Sequence, residues 1–424
     1  MTSPGFPQAD RLAVWSEGAL VGEVWIHEGT WHFRYEPSWN SLVDHRFAIS
    51  PRFPLGDSIF QDRPDDRQVQ WFFDNLLPEG GVREALARYA ELDANDVFGL
   101  LARFGEESAG ALTLLPPGTA YPSEEGYDNL SRAGLREWIG GLARLPLITA
   151  GGHGHMSLAG AQHKLPVHRL GSEFLLPRGG ASSAIIKPDN GRPQAFPFCP
   201  ANEHFCMSVA SEVGIAVPAT EIEHVPEPIY IVERYDRFIA DHIVRRRHQI
   251  DLCQLLGKWP GFKYQSEGGA TFSAAYAALD STRQPAVSRK RLLDWLVFNY
   301  LVGNSDAHAK NISFLVGSSG IDLAPAYDLL CVKVYGQEFD YMAMTIGDEI
   351  RYGWVERPQW DALAAELGLS PAFIAAQRKA LARAVPIAAR TVLAREPFSG
   401  DERVFLQKVL AIIDQHAELL LATV

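Results

Sequence analysis

The first hundred residues change their hydrophobic period from two to between three and four. Apolar and polar residues alternate in Leu12–Trp15, Leu20–Ile26 and Trp31–Tyr35, with polar or glycine turns between them. This alternation predicts a small antiparallel meander. From about 68 to 89 and from 93 to 102, apolar residues recur at steps of three and four, which predicts helices. The chain therefore opens with a β-rich subdomain followed by helical segments.

A second mixed region follows a change in composition. The stretch from Leu114 to Ser131 is rich in proline, glycine, serine and acidic residues, which predicts a loop or a linker between two units. Beyond about residue 151 the pattern predicts strands around Lys164–Val167, Ala184–Lys187 and Ile229–Val232, and a helix over about 201–214.

Helical patterns dominate from about Asp251 onward. Residues 290–302 are apolar on most of the helix circumference, as expected of a buried helix. The last hundred residues read as amphipathic helices that end with 404–421. The predicted fold class is α+β, with a mixed α/β half followed by a helical half.

Composition limits the classes of protein that fit this pattern. The 424 residues exceed the usual size of one core, so two or three packed units are expected. No window approaches the roughly 18 to 20 uninterrupted apolar residues of a membrane span, and the first ten residues have no basic and no long apolar region. We expect a cytoplasmic protein that does not enter the membrane. Four cysteines without C-x-x-C spacing predict reduced, mostly buried thiols.

The formal net charge of −12 argues against unassisted binding to nucleic acid, because neutralising phosphates needs a concentrated basic surface. A protein or a nucleotide–metal ligand fits this charge better. One basic run, Arg245–His248, could steer an anion, but short charge runs are usually solvated loops. We therefore interpret it as a solvated loop.

The strongest chemical signal is the polar run Gly303–Asn311, which follows the buried helix and precedes apolar residues. Asp306 and Asn311 are five positions apart, the same interval as between the Asp and the Asn of the protein-kinase pattern H-R-D-x-x-x-x-N. Asp328 lies seventeen residues beyond Asn311. Phosphoryl transfer needs a carboxylate near the incoming hydroxyl and hard oxygen ligands for Mg²⁺. Spacing alone leaves a structural cap at Asp306 and Asn311 as an open alternative.

Two further features lie upstream. Lys187 ends an apolar strand that Pro188 terminates, and a buried lysine needs an anionic partner such as ATP phosphate. Glu203 could orient it as an ion-pair partner, although a surface lysine remains open. The small residues between Ser157 and Lys164 would let main-chain N–H groups approach phosphate oxygens, although the run also fits an ordinary turn. Val232–Arg237 stands where a kinase hinge would read adenine.

Together these segments resemble the HipA family of kinases. The resemblance rests on their order along the chain and extends to Val69–Gly80 and Gly110–Leu114 in the N-terminal half. It implies a bilobal, protein-kinase-like fold: a HipA N-terminal subdomain over 1–118, the rest of the kinase N-lobe over 119–235 and a helical C-lobe over 236–424.

The resemblance also implies an activity. The chain would be the toxin of a type II toxin–antitoxin pair and would use ATP and Mg²⁺ to phosphorylate a serine or threonine of a cytoplasmic protein, typically an aminoacyl-tRNA synthetase. Carried over by position, Asp306 would be the catalytic base, and Asn311 and Asp328 would bind Mg²⁺. The implied nucleotide-binding residues are Ser157, Ala159, Gly160, Ala161, Gln162, Lys164, Lys187, Glu233, Tyr235, His308 and Tyr327.

Regulation and partnership follow from the same resemblance. Ser157 matches the family's autophosphorylated serine, and added charge where γ-phosphate must lie would inhibit the enzyme. The implied partner is a HipB-like helix-turn-helix antitoxin, through which operator DNA would be contacted indirectly. Ala307 and His163 depart from the family's usual residues without removing a catalytic group.

Two other functions remain open from the sequence. A small-molecule kinase could use the same scaffold, since a base, a lysine and a metal pair do not specify the acceptor. A catalytically silent co-repressor that acts through its antitoxin is disfavoured because no catalytic position is missing.

Overall fold

The computed structural model describes residues 10–42, 46–122, 126–141, 163–189, 194–225 and 227–423. These residues divide between two compact units. Unit 1 is formed by the described residues within Met1–Lys187, Arg234–Pro260 and Phe314–Ile321, and unit 2 by those within Pro188–Glu233, Gly261–Ser313 and Asp322–Val424. Each unit is assembled from pieces that are distant in sequence, and the division into 1–118, 119–235 and 236–424 stays a prediction.

The N-terminal part of unit 1 is a β-rich subdomain that also contains helices. Its elements are β1 (Arg11–Ser16), β2 (Ala19–His27), β3 (Thr30–Tyr35), α1 (Pro37–Ser41), β4 (Ile59–Gln61), α2 (Gln68–Asp74), α3 (Gly80–Tyr89), α4 (Val97–Phe104) and β5 (Thr113–Leu115). The strands form one antiparallel sheet in the order β4-β3-β2-β1-β5. Buried residues alternate along β1 and β3, so the predicted meander is confirmed. Phe33, Phe53, Phe72 and Phe73 are fully buried and pack edge to face in its core.

The helical pattern predicted over 68–89 forms two helices, α2 and α3, with a break between them. Pro78 explains the break, because proline lacks the N–H that a helix needs and disfavours helical backbone at the residue before it. Leu76 and Leu77 in the break are nonetheless buried, so the apolar periodicity continues where the helix does not.

The second sheet of unit 1 lies in the region that follows. Its elements, with one helix, are β6 (Gly126–Leu130), α5 (Arg132–Gly140), β7 (Leu165–Leu170), β8 (Glu173–Arg178) and β9 (Ala184–Pro188). Within unit 1 the strands are ordered β6-β8-β7-β9, and neighbours are antiparallel. The stretch from Leu114 to Ser131 therefore contains a strand, β6, and the prediction of a loop or linker was wrong for those residues. β6 lies at the edge of the sheet and is only partly buried, so its sequence is polar and lacks the apolar pattern of an inner strand.

The remaining elements complete both units. In chain order they are α6 (Cys199–Glu212), β10 (Thr220–His224), β11 (Pro228–Glu233), β12 (Arg237–Ala240), β13 (Ile243–Arg246), β14 (His248–Asp251), α7 (Leu252–Leu256), α8 (Phe272–Ala278), α9 (Pro285–Val302), β15 (Ser313–Gly317), β16 (Gly320–Leu323), α10 (Arg357–Leu367), α11 (Pro371–Arg395) and α12 (Gly400–Ala422). In unit 2, α6 packs on the β10–β11 hairpin and against α11 and α12, which also contact α9. The prediction of a mainly helical half with a buried helix near 290–302 is confirmed.

Local signals fix the ends of these helices. α7 begins with a capping box in which Asp251 accepts from the N–H of Gln254 at 2.8 Å and Gln254 accepts from that of Asp251 at 3.0 Å. α9 begins at Pro285, whose fixed φ suits the first turn. Across the part of the chain that the structure describes, no helix is long and apolar enough to span a bilayer.

Candidate active site

The buried helix α9 leads directly into the polar loop 303–311 in unit 2. It ends at Gly303, whose φ of +69° is in the left-handed region that favours glycine. A Cβ at Gly303 would lie 3.1 Å from the Cβ of Lys333. The N–H groups of Val332 and Lys333 both donate to the Gly303 oxygen at 3.0 Å. The end of the helix is thereby joined to the segment that follows Asp328.

Asp306 and Asn311 are held together by the loop itself. The side-chain N–H of Asn311 donates to the main-chain oxygen of Asp306 at 2.9 Å, and the N–H of His308 donates to the same oxygen at 2.9 Å. Asn311 is 5% exposed, whereas the side chain of Asp306 is 42% exposed. The amide oxygen of Asn311 is consequently turned away from Asp306, and the Asp306 carboxylate faces solvent.

Asn304 joins this loop to Asp328. Its side-chain oxygen accepts from the N–H of Asp306 at 3.1 Å, and its side-chain nitrogen donates to the Asp328 oxygen at 3.3 Å and to Asn299 Oδ1 at 2.8 Å. Asn304 is 1% exposed. Asn304 belongs to the polar run, but its role could not be predicted from sequence because two of its partners, Asn299 and Asp328, lie outside that run.

Asp328 has strained backbone and well-fixed neighbours. Its φ of +59° is uncommon for a residue with a side chain, and such strain is often found at functional sites. Arg291 on α9 donates to the oxygens of Leu323 and Ala324 at 2.9 and 2.8 Å. The N–H of Ala326 donates to the oxygen of Ala216 at 2.8 Å. These bonds fix the main chain of residues 323–326, immediately before Asp328.

Two aromatic side chains complete the loop. The Tyr327 hydroxyl donates to the oxygen of Lys310 and lies 2.7 Å from Ser313 Oγ. The Tyr264 hydroxyl donates to Asp306 Oδ1, and its ring packs edge-on against His308 with centroids 5.1 Å apart. Sequence reasoning missed Tyr264, which lies 42 residues before Asp306.

The structure places seven of the predicted residues in unit 2: Glu203, Glu233, Asp306, His308, Asn311, Tyr327 and Asp328. Glu203 is buried in α6. Burial raises the pKa of Tyr230, and the nearby carboxylates of Glu203 and Asp328 raise it further. Glu203 and Asp328 therefore act on one tyrosine. Glu233 is exposed at the end of β11, where its N–H donates to the oxygen of Ala219 at 3.0 Å.

Unit 1 contains three other predicted residues. Lys187 is 5% exposed at the end of β9, so the alternative of a surface lysine does not hold. Lys164 immediately precedes β7. The hydroxyl of Tyr235 donates to the side-chain oxygen of Gln249. The predicted loop residues Ser157, Ala159, Gly160, Ala161 and Gln162 lie outside the described residues.

A buried ion cluster in unit 1 occupies much of the segment that was predicted to act as a hinge. It consists of Glu107, Arg234, Asp236, Arg237 and Arg246. Glu107 accepts from Arg234 at 2.9 Å, from Arg237 at 2.9 Å and from Arg246 at 2.6 Å. Asp236 accepts from Arg234 at 2.7 Å and from Arg237 at 2.8 Å. Three polar side chains of the predicted hinge are therefore structural.

Charge pairing shifts the titration of this cluster. Burial by itself would raise the pKa of Glu107, but the guanidiniums of Arg246, Arg237 and Arg234 lower it to about 2. The pKa of Arg237 falls to about 10 because of burial and then the neighbouring Arg234. Both groups stay charged near neutral pH, and each buried charge has a partner as it must.

The donor set near the loop suits a hard cation. Among the described residues, no group of three or more His, Cys, Asp and Glu side chains is placed to hold a metal. Asn311 and Asp328 would provide one amide and one carboxylate oxygen, the ligand types that Mg²⁺ prefers. The Asn311 oxygen fits this use because its amide nitrogen is already engaged with Asp306. Phosphate oxygens and water would supply the remaining ligands.

Comparisons with known proteins find two family matches that together cover most of the chain. Residues 156–391 match the family described as HipA-like C-terminal domain, and residues 12–115 match that described as HipA N-terminal domain. A candidate kinase of Sinorhizobium fredii, Y4mE, is 37% identical over 369 residues, which cover 84% of this chain and 86% of that protein. The serine/threonine-protein kinase toxin HipA of Shewanella oneidensis is 29% identical over 405 residues, which cover 91% and 90%.

A solved structure is also similar along nearly the whole chain. The HipA chain of a complex of Shewanella oneidensis HipA, HipB and operator DNA matches with a TM-score of 0.83 at 26% identity, covering 96% of each chain. The predicted α+β fold and the resemblance of the sequence segments are confirmed by these matches.

Proposed function

Because this chain belongs to the HipA family, we propose that it transfers the γ-phosphoryl group of ATP to a serine or threonine of another protein. The observation that carries the proposal is the loop geometry. Asn311 is bonded to the backbone of Asp306, and Asn304 bonds both to Asp306 and to the Asp328 segment. These bonds would hold a base and a pair of cation ligands on one scaffold, as phosphoryl transfer requires.

The roles of the residues follow from what each atom can do. The acceptor oxygen would form a bond to the γ-phosphorus as the bond to ADP breaks, and its proton would pass to the exposed Asp306 carboxylate. Asn311 and Asp328 would hold Mg²⁺, which when bound supplies positive charge against the phosphate oxygens. The protein's own contribution is to keep these side chains in place before ATP arrives.

The nucleotide contacts are proposed from the same family pattern. Lys187 and Lys164 would contact phosphate, and main-chain groups at Glu233 and Tyr235 would contact adenine. Tyr327 would contribute through its ring, because its hydroxyl is bonded to Lys310 and Ser313, and His308 would line the same site. The loop residues Ser157, Ala159, Gly160, Ala161 and Gln162 would cover the phosphates.

We propose further that the chain is the toxin of a toxin–antitoxin pair. The Shewanella oneidensis relative is named a kinase toxin, and its solved complex contains HipB and operator DNA. A HipB-like antitoxin would therefore bind this chain and provide the contact with DNA, and an aminoacyl-tRNA synthetase is the proposed substrate. Autophosphorylation at Ser157 would switch the enzyme off by adding negative charge beside the phosphate site.

The experiment is to incubate the purified chain with γ-labelled ATP, Mg²⁺ and a bacterial lysate. We expect label on serine or threonine of one or few proteins, and on Ser157 of the chain itself. Label found only in small molecules would identify a small-molecule kinase instead. A chain that transfers no label but still represses transcription with its antitoxin would be a silent co-repressor. Tryptic mapping of a Ser157→Ala variant would show whether self-labelling is confined to that residue.

A further inference from the structure

The hydroxyl of Tyr264 is bonded to the carboxylate of Asp306. This bond uses Oδ1, while Oδ2 accepts no hydrogen bond from any residue that the structure describes and the side chain is 42% exposed. A tyrosine that donates to one carboxylate oxygen fixes the plane of the carboxylate and leaves the other oxygen for a second donor. The acceptor hydroxyl of a substrate is such a donor.

Tyr264 lies in a tight turn, Lys263–Gly269, that has little freedom to move. The N–H groups of Glu267 and Gly269 donate to the Tyr264 oxygen at 3.0 and 2.9 Å. Gly268 has a φ of +91°, and a Cβ at Gly269 would lie 2.5 Å from the Tyr264 oxygen. Both positions therefore require glycine. The two glycines allow the tight backbone conformation that places Tyr264 beside Asp306.

The Lys263–Gly269 turn is also joined to the elements on either side of it. The N–H of Ala309, in the polar loop 303–311, donates to the Lys263 oxygen at 3.1 Å. Gln265 donates its side-chain amide to Thr345 Oγ1 at 3.0 Å and accepts from the Thr345 N–H at 3.0 Å. The bond between Tyr264 and Asp306 is therefore one of several that hold the turn against the polar loop 303–311 and its neighbours.

We infer that Tyr264 is a positioning residue for Asp306: it orients the carboxylate so that its free oxygen meets the acceptor hydroxyl. This inference rests on the proposed phosphotransfer function. The opposite possibility is that the Tyr264 hydroxyl occupies the acceptor's place and inhibits the enzyme. The second carboxylate oxygen and the exposure of Asp306 favour positioning. An acceptor hydroxyl can reach that oxygen while Tyr264 stays in place, whereas an inhibiting phenol would have to leave before each turnover.

The test compares Tyr264→Phe with Tyr276→Phe, a control on α8 whose ring packs under Arg289. Phosphoryl transfer is measured with γ-labelled ATP, using self-labelling and dephosphorylated casein as acceptors. Loss of a hydrogen bond to a charged group predicts a ten- to hundredfold fall in kcat for Tyr264→Phe. The KM for ATP should change by less than about twofold, since the phenol donates to the Asp306 carboxylate, which is proposed to act on the acceptor hydroxyl. The control should match wild type.

A double-mutant cycle with Asp306→Asn separates positioning from a general structural effect. If Tyr264 acts through Asp306, Tyr264→Phe should cause no further loss in the Asp306→Asn background. Equal multiplicative losses in both backgrounds, an unchanged kcat or a raised kcat in the single variant would each overturn the inference.

Two further results keep the outcomes distinct. A wild-type chain that labels no acceptor would contradict the proposed function, and this inference with it, whereas an active wild type with an equally active Tyr264→Phe contradicts the inference alone. If Tyr264→Phe does not fold, Gln265→Ala loosens the turn while keeping the phenol, and it should lower kcat severalfold at constant KM. An unchanged kcat in that variant would count against the inference.

Discussion

Asn311 donates its side-chain amide to the main-chain oxygen of Asp306 over 2.9 Å. Because the amide nitrogen makes this bond, the amide oxygen of Asn311 faces away from Asp306. The five-residue spacing alone could also be explained by a helix cap. With this bond, the Asn311 oxygen is left to bind a cation and the Asp306 carboxylate is left to meet an acceptor hydroxyl.

Asn311→Asp tests the direction of that bond. The substitution keeps an oxygen ligand but replaces the donor with an acceptor that faces the Asp306 oxygen, so we expect a loss of about 1–3 kcal/mol of stability. Phosphotransfer should fall at least tenfold. Urea unfolding and labelled-ATP assays measure the two effects, and an Asp variant as stable as wild type would show that the donor contributes nothing.

Asp328 offers a test of backbone strain, because its φ of +59° favours Asn over other residues with a side chain. Asp328→Asn and Asp328→Ala should both lose phosphotransfer, since each removes the carboxylate. The Ala variant should be less stable than the Asn variant by about 1 kcal/mol. Denaturant unfolding of the pair gives the difference directly, and equal stabilities would contradict the argument from φ.

Sequence periodicity and spacing predicted the β-meander, the buried helix α9, the loop 303–311 and Asp328, because each signal lies within a short stretch of chain. The basic run Arg245–His248 shows the limit. It was interpreted as a solvated loop, yet Arg246 is 9% exposed and bonded to Glu107, so that interpretation was wrong. Residues alternate in facing direction along a strand, and Arg246 lies on the inner face of β13.

Long-range partners explain the other residues that sequence reasoning missed. Glu107 and Arg246 are 139 positions apart, and Tyr264 and Asp306 are 42 apart. No local pattern marks Glu107 as the acceptor for three arginines or Tyr264 as a donor to Asp306. Only the folded chain brings these groups together.

Glu107→Gln should destabilise unit 1 strongly. It leaves three buried guanidiniums with one carboxylate, and removing one partner of a buried pair costs about 3–5 kcal/mol. The folded pKa of Glu107 is lowered from 4.5 to about 2, so its contribution is complete above pH 4.5 and is lost as pH falls toward 2. The gap between wild type and variant should therefore narrow over that range.

The control for this substitution is Glu23→Gln on the N-terminal sheet. Glu23 accepts from Arg11 at 2.8 Å and from Arg34 at 3.0 Å, but all three side chains are partly exposed. An exposed pair contributes about 1 kcal/mol or less. Glu107→Gln and Glu23→Gln losing equal stability at pH 7 would refute the special role of the buried ion cluster.

His416 should make unit 2 sensitive to mild acid. Burial lowers its pKa from 6.5 to about 4, and its ring stacks on Tyr352 while Nδ1 lies 2.7 Å from the Tyr300 oxygen. In the unfolded chain His416 is protonated below about pH 6.5, whereas in the folded chain it stays neutral down to about pH 4. The unfolded state therefore binds more protons in this range, and the free energy of unfolding falls as pH falls. Linkage predicts that this titration lowers the free energy of unfolding by about 2 kcal/mol at pH 5.

His416→Phe keeps an aromatic ring and removes this titration. Between pH 7.5 and pH 5 its thermal midpoint should fall less than that of wild type. His248 in unit 1, whose pKa burial also lowers to about 4, is unchanged in the variant, so part of the acid sensitivity should remain. A variant with the same pH dependence as wild type would mean that His416 is not the group involved.

Asp306→Asn, assayed with γ-labelled ATP and a bacterial lysate, tests the central claim most directly. Asp280→Asn, which weakens a partly exposed pair with Arg289, is the matched control. We expect wild type and control to label serine or threonine of protein, and Asp306→Asn to transfer less than one hundredth as fast while keeping its fold and its affinity for ATP. An Asp306→Asn chain that labels protein at the wild-type rate would contradict the account.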